Sequence, residues 1–237
     1  MRACQATGKR RGSKVEQTTE SEVLDPSISA LVIVDVQNDF CHSEGAAAKM
    51  NLDVSFVQAT VPKILELIEL ARGTDVPRIY LRGEHSHWFN SDIWLRRGAK
   101  GRSIDATRVP LVRAGSWGAE FYEVSPRPDE LVITKHRYSG FAYTPLELAL
   151  QTLRTTNVLI CGTATNVCVE ATARDAIMRG YLPVIVSDCV ASGQPDLHRA
   201  ALKDMAEYLG AVVSLDDVRL AWEPTRRGQP VAARSTD

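Results

Sequence analysis

Residues 31–34, Leu-Val-Ile-Val, form an uninterrupted aliphatic run that is followed at once by Asp35. A short continuous run of this kind, rich in β-branched residues, is typical of a strand that is buried on both faces of a parallel sheet. Such a sheet needs helices on both sides, so the run favours an α/β fold. It also predicts an acid at the carboxyl end of a buried strand.

Similar apolar segments return along the chain and alternate with amphipathic ones. The predicted strands are 31–36, 77–81, 131–135, 157–161, 182–187 and 211–214. The predicted helices are about 57–72, 145–154, 166–179 and 196–208. This order predicts a three-layer α-β-α fold with a doubly wound sheet of six mainly parallel strands. Ligands of such sheets bind beyond the carboxyl ends of the strands.

The length of 237 residues predicts one folded domain with a tail at each end. Residues 1–22 are polar and aperiodic, which predicts a disordered tail, and the domain is expected to span 23–222. The Pro- and Arg-rich residues 223–237 are expected to form a second tail. Between Arg82 and Arg127 no period is sustained, and this stretch is expected to form substrate-covering loops with short helices.

The charge balance limits the partners of this chain. It has 28 basic and 29 acidic residues, a net charge of −1, which argues against the broad basic face that binds nucleic acid. No apolar run approaches the ~18 residues that span a bilayer, and nothing near Met1 resembles a secretory signal. We expect a cytoplasmic protein with a small-molecule substrate, although the basic N-terminal residues leave an organelle transit segment as the alternative.

The cysteines are odd in number and widely spaced, without any CxxC pair: Cys4, Cys41, Cys161, Cys168 and Cys189. This pattern excludes a disulfide scaffold and a cysteine-rich zinc site. One thiol is therefore a candidate for chemistry.

Three reactive residues fall at the carboxyl ends of predicted strands, namely Asp35, Lys135 and Cys168. Cys168 is expected in the first turn of a helix, where the helix dipole and a nearby Lys135 favour the thiolate. Taken singly, each residue has an ordinary alternative: an acid that caps a loop, a lysine that extends to solvent, or a thiol that acts as a small apolar side chain.

Three motifs together resemble those of the isochorismatase-like cysteine hydrolases. They are Asp35-Val-Gln-Asn-Asp-Phe40, Lys135-His-Arg-Tyr-Ser-Gly-Phe141 and Gly162-Thr-Ala-Thr-Asn-Val-Cys-Val169. The resemblance covers roughly residues 30–215, with the motifs in the family's order. Within the superfamily, the segments that begin at Lys135 and Gly162 most resemble the ureidoacrylate amidohydrolase branch.

The resemblance implies a catalytic triad of Asp35, Lys135 and Cys168. Asp35 would take the thiol proton of Cys168, which attacks an amide or ureido carbonyl, while Lys135 holds Asp35 ionised. The resemblance also implies an oxyanion hole formed by the backbone N–H groups of Thr165 and Cys168, with a cis peptide at Ala164–Thr165. No metal or organic cofactor is implied, and the family suggests homodimers or homotetramers.

Substrate contacts are expected from side chains near the motifs and in the loops: Gln37, Phe40, His85, Trp117, Tyr138, Phe141 and Asn166. The alternative for these residues is loop anchoring, and Gln37 and Asn38 can instead orient the Asp35 loop. Nicotinamidases of this superfamily bind a metal through an Asp-x-His pair. This chain has Gly83-Glu-His85-Ser-His87 there, so we predict no metal.

The leading expectation is thus a cysteine amidohydrolase that acts through a thioester and releases ammonia or an amine. The alternatives are a metal-dependent nicotinamidase, an isochorismatase that cleaves a vinyl ether, and a catalytically silent scaffold protein.

Overall fold

A six-stranded sheet organises residues 20–96 and 111–226, the parts of the chain that the computed structural model describes. The strands are β1 (Ser29–Val34), β2 (Arg78–Gly83), β3 (Leu131–Lys135), β4 (Asn157–Thr163), β5 (Leu182–Ala191) and β6 (Ala211–Val213). Neighbouring strands are parallel, and their spatial order is β3-β2-β1-β4-β5-β6. The predicted doubly wound α/β fold is confirmed, and the strand order reverses between β1 and β4.

Helices precede, connect and follow these strands. They are α1 (Glu20–Val23), α2 (Asn38–Cys41), α3 (Ala46–Lys49), α4 (Ser55–Gly73), α5 (Asp92–Arg96), α6 (Leu146–Thr152), α7 (Glu170–Met178), α8 (Pro195–Tyr208) and α9 (Leu215–Arg226). A π turn, Thr165–Val169, connects β4 to α7, and a 3₁₀ turn spans Trp117–Ala119. Within the described ranges, no helix is both long enough and apolar enough to cross a membrane.

Two apolar clusters cover the two faces of the sheet. One contains Leu31 and Ile33 of β1 together with side chains of α4 and α9. The other contains Val32 and Val34 together with side chains of α6, α7 and α8. Successive side chains of a strand point to opposite faces, so a strand covered on both sides needs an apolar residue at every position. This explains why the run that begins at Leu31 is continuous.

The sequence prediction of a tail from residue 223 was wrong at its start, because α9 continues to Arg226. Leu215, Val218 and Trp222 recur at helical spacing and are buried, and the indole Nε1 of Trp222 donates to the Leu24 carbonyl at 2.8 Å. The other tail was predicted to extend to residue 22, but Glu20–Val23 form a short helix. The remainder of both predicted tails, residues 1–19 and 227–237, lies outside the described residues, as does 97–110 of the predicted loops.

Candidate active site

Asp35 follows β1 directly and adopts a strained backbone conformation. Its φ is +50°, in the left-handed region that non-glycine residues rarely occupy. The Asp35 N–H donates to the Leu81 carbonyl at 3.0 Å, and Thr163 Oγ1 donates to the Asp35 carbonyl at 2.9 Å. These bonds to β2 and β4 hold the conformation. Strain maintained in this way is characteristic of functional positions, since the surroundings must enforce it.

The Asp35 carboxylate forms a buried ion pair with Lys135 at the end of β3. Lys135 Nζ lies 2.7 Å from Asp35 Oδ2, and the two side chains are 2% and 1% exposed. No backbone N–H of the described residues donates to the carboxylate. Burial by itself would lower the pKa of Lys135, but the charge of Asp35, together with hydrogen bonds to Asp35 and Cys168, raises it above the ordinary value. Lys135 is therefore the positive charge that compensates this buried carboxylate.

Gly83 allows this pair to form, although β2 lies between β1 and β3. It pairs with Lys135 in the sheet, and a Cβ at Gly83 would lie 3.2 Å from Asp35 Oδ1. A side chain here would therefore crowd the carboxylate. The sequence reasoning did not single out Gly83 for this role, because its position between the two charged residues depends on the strand order.

Cys168 lies on the π turn and contacts both charged partners. Its thiol makes hydrogen-bonding contacts with the side chains of Asp35 and Lys135. Burial raises the pKa of the Cys168 thiol to about 12, and the positive charge of Lys135 only partly offsets this. The expectation that the helix dipole and Lys135 favour the thiolate was therefore wrong, whereas Cys168 does lie in a first helical turn, which continues into α7. The turn is of π type, and desolvation outweighs the lysine charge.

The site lies at the point where the strand order reverses, because β1 and β4 are neighbours. Gly162 of β4 is paired with Val34, and a Cβ at Gly162 would lie 2.0 Å from the Val34 carbonyl oxygen. The φ of Gly162 is +113°, which a side chain would also disfavour. Glycine thus permits the close approach that brings the residues after both strands together.

The cis peptide bond predicted at Ala164–Thr165 is one residue earlier, between Thr163 and Ala164. β4 continues through Thr163, which pairs with Ala191 of β5. The chain therefore leaves the sheet at the peptide bond that follows Thr163. The motif thus indicated a cis bond in this segment, and the structure corrects its position by one residue.

Gln37 orients the Asp35 loop. Its fully buried amide donates to the carbonyls of Gly83 and Ala119 at 2.9 and 2.7 Å and accepts from the Gly83 N–H at 2.8 Å. The substrate contact expected from Gln37 is replaced by the alternative role in the loop. Asn38 helps in this role, because its side chain donates to the Trp117 carbonyl at 2.9 Å.

Of two other expected contacts, Phe141 is buried and Phe40 is partly buried. Phe40 packs against the apolar cluster beside α4. Phe141 is 5% exposed, with its ring 6.0 Å from that of Tyr181 and 5.0 Å from the guanidinium of Arg179. For Phe141 these contacts favour the alternative of loop anchoring over a substrate contact.

The remaining expected contacts stay near the site or its loops. At the carboxyl ends of β2 and β3, the ring of Trp94 lies 6.1 Å from that of His85 and 4.8 Å from that of Tyr138. Sequence reasoning missed Trp94, which lies in the aperiodic stretch. Trp117 is 46% exposed, and its ring lies 5.0 Å from that of His42. The side-chain oxygen of Asn166 accepts a hydrogen bond from the Ser192 hydroxyl at 2.7 Å.

The histidines after β2 do not provide a metal site in the described part of the chain. His85 packs beside Trp94, whereas the ring of His87 lies 4.6 Å from that of Trp88, whose side chain is largely exposed. Across residues 20–96 and 111–226, no group of three or more His, Cys, Asp or Glu side chains is placed to hold a metal ion. The donor set of a nicotinamidase-type metal is thus not assembled by these residues.

Comparisons with known proteins agree with this geometry. The family model of the isochorismatase domain matches residues 29–217. The chain belongs to the isochorismatase family. A curated relative, the ureidoacrylate amidohydrolase RutB of Methylobacterium radiotolerans, is 30% identical over 217 residues, which are 87% of this chain and 84% of that protein.

Solved structures of the family share the fold. A cysteine hydrolase from Pseudomonas syringae has a TM-score of 0.74 and 27% identity, and the match covers 85% of this chain and 95% of that one. A pyrazinamidase of Pyrococcus horikoshii, solved in complex with zinc, has a TM-score of 0.65 and 27% identity, with 79% and 99% covered. The predicted family and the predicted hydrolase class are confirmed by these relatives.

Proposed function

We propose that the protein is a cysteine-dependent amidohydrolase that cleaves a C–N bond of a small amide or ureido compound. The observation that carries this proposal is the buried group of Asp35, Lys135 and Cys168, in which a neutral thiol contacts a carboxylate paired with a lysine. A thiol with a pKa of about 12 needs a base to become a nucleophile. The relatives named amidohydrolase and cysteine hydrolase support the choice of a C–N bond.

In the first half of the reaction, Asp35 accepts the thiol proton as Cys168 Sγ attacks the carbonyl carbon of the substrate. The carbonyl π electrons move to oxygen and give a tetrahedral oxyanion. When the intermediate collapses, the C–N bond breaks, and the proton on Asp35 passes to the departing nitrogen. Ammonia or an amine leaves, and the acyl group remains on Cys168 as a thioester.

In the second half, water attacks the thioester carbonyl while Asp35 accepts a proton from it. Collapse of this intermediate breaks the C–S bond, and the proton returns from Asp35 to the sulfur. Lys135 stays charged throughout and keeps the carboxylate in place. The acid is released, and the resting thiol and carboxylate are restored.

We assign the oxyanion hole to the backbone N–H groups of Thr165 and Cys168, both of which lie on the π turn. The aromatic side chains of His85, Trp94 and Tyr138 stand at the ends of β2 and β3. Rings at this edge favour a small planar acyl or ureido group, because they supply apolar contact area with polar tips.

The test is ammonia release from ureidoacrylate, biuret, nicotinamide, maleamate and N-carbamoyl amino acids, with isochorismate included for vinyl ether cleavage. We expect the wild type to hydrolyse one of the amides and Cys168→Ala to lose this activity. Cys189→Ala, which removes another buried thiol, is the matched control and should remain active. Activity retained in Cys168→Ala would exclude the nucleophile, and loss of activity on chelation would favour a metal-dependent nicotinamidase.

A further inference from the structure

His198, which the proposed reaction does not use, contacts the turn that carries the nucleophile. It lies near the start of α8, and its Nδ1 is 2.8 Å from Thr165 Oγ1. Thr165 is fully buried and His198 is 9% exposed. A hydrogen bond between two buried side chains specifies geometry, because loss of either partner leaves the other unsatisfied.

Other contacts hold His198 as well. Its backbone N–H donates to the Gln194 carbonyl at 2.9 Å, and its ring meets that of Phe56 edge-on at 5.2 Å between centroids. Desolvation, followed by the charge of Arg199, lowers the pKa of His198. The imidazole is therefore neutral at pH 7 and offers one donor and one acceptor nitrogen.

The segment that leads into α8 contacts the π turn at a second point. Ser192, between β5 and α8, donates through its hydroxyl to Asn166 Oδ1 at 2.7 Å. Thr165 and Asn166 are the first two residues of the turn, and Cys168 follows two positions later. A shift of these two residues would move the thiol relative to Asp35, and a misplacement of about 1 Å can slow a reaction about 100-fold.

We propose that His198 is a positioning residue, which through its hydrogen bond to Thr165 fixes the π turn so that the Cys168 thiol meets Asp35. The expected change in kcat rests on the proposed function, because it needs a substrate that is hydrolysed. The expected change in the reactivity of the Cys168 thiol does not. His198 touches neither the substrate nor the reacting atoms in this role.

The first test compares two substitutions at the same position. His198→Phe keeps a ring but removes the hydrogen bond, and we expect kcat to fall about tenfold with KM changed less than about twofold. His198→Asn places an amide near the position of Nδ1, and kcat should return to within about threefold of the wild type. Leu197→Ala, an exposed neighbour on α8, is the matched control and should match the wild type.

The second test measures alkylation of Cys168 by iodoacetamide, followed by mass spectrometry of the intact protein and its peptides. The rate should fall in His198→Phe and in Thr165→Val and recover in His198→Asn and in Thr165→Ser. The double variant Thr165→Val/His198→Phe should be no slower than either single one, because both remove the same bond. Thermal denaturation of each variant checks that it is folded.

The outcomes separate this proposal from the proposed function. If no amide is hydrolysed by the wild type but the alkylation series follows this pattern, the positioning role stands and the substrate class falls. A His198→Phe variant with alkylation and kcat within about twofold of the wild type would overturn the positioning role. So would a His198→Asn variant as impaired as His198→Phe, or effects that add in the double variant.

Discussion

The buried ion pair between Asp35 and Lys135 makes a quantitative prediction about stability. Asp35→Asn leaves the Lys135 ammonium buried without its counter-charge, and Lys135→Met leaves the carboxylate in the same situation. Removing one partner of a buried pair typically lowers the free energy of unfolding by about 3–5 kcal/mol, because an uncompensated charge remains in the interior. The double variant removes both charges and should recover most of this loss.

The hydrogen bonds that remain to each charged group predict where the two single variants lie within the range of about 3–5 kcal/mol. Lys135 Nζ also donates to the Arg137 carbonyl at 3.1 Å, so Asp35→Asn leaves the ammonium one acceptor and should lie near the lower limit, about 3 kcal/mol. The carboxylate of Asp35 has no backbone donor within the described residues and keeps only the weak donor of the Cys168 thiol, so Lys135→Met should lie near the upper limit, about 5 kcal/mol. In the double variant, the loss of unfolding free energy should be smaller than the sum of the two single losses by at least about 3 kcal/mol.

The assay is urea denaturation at pH 7, followed by circular dichroism and tryptophan fluorescence. The matched control is the exposed pair of Lys63 and Asp188, at 3.2 Å with side chains 51% and 32% exposed. Lys63→Met should lower the free energy of unfolding by less than about 1 kcal/mol. If Asp35→Asn and Lys135→Met also stay below about 1 kcal/mol and simply add in the double variant, the two charges do not form a buried, mutually dependent pair.

Two further predictions follow from the same site. Because burial raises the pKa of Cys168 to about 12, its alkylation by iodoacetamide in the wild type should keep increasing well above pH 8.5, and a rate that levels off below pH 8 would contradict the neutral resting thiol. Gln37→Leu removes three hydrogen bonds to buried backbone groups and should lower the free energy of unfolding by about 3 kcal/mol. The control Gln151→Leu, at an exposed position of α6, should change it by less than about 0.5 kcal/mol, and equal effects would contradict the role of Gln37 in the loop.

Much of the fold was predictable because strand and helix periodicity is a local property. Five of the six strands were predicted within two residues of their observed bounds, and β3 was predicted at its observed residues, whereas β5 extends four residues beyond its predicted end. The helix α9 was missed, although Leu215, Val218 and Trp222 recur at helical spacing. Here the Pro and Arg residues after Trp222 suggested a tail, whereas burial of the indole keeps the segment on the sheet.

The candidate site was predictable for the residues that end strands and less so for those around them. Asp35, Lys135 and Cys168 were found because each follows an apolar run, and the doubly wound fold brings such ends to one edge. Gln37 and Phe141, from which substrate contacts were expected, are buried, because a polar or aromatic residue beside a motif can face the interior as readily as the pocket. The contact expected from Phe40 stays a prediction. His198 gave no local signal, since its partner Thr165 lies 33 residues away along the chain.

The alternation of strands and helices could be predicted from the order of the amino acids, and so could the acid, the lysine and the thiol at three strand ends. How these three residues act on one another depends on tertiary contacts. The order of the strands places β2 between β1 and β3, so a side chain at Gly83 would crowd the Asp35 carboxylate that pairs with Lys135. Burial decided that Cys168 rests as a thiol, because desolvation depends on everything packed around a group rather than on its neighbours in sequence.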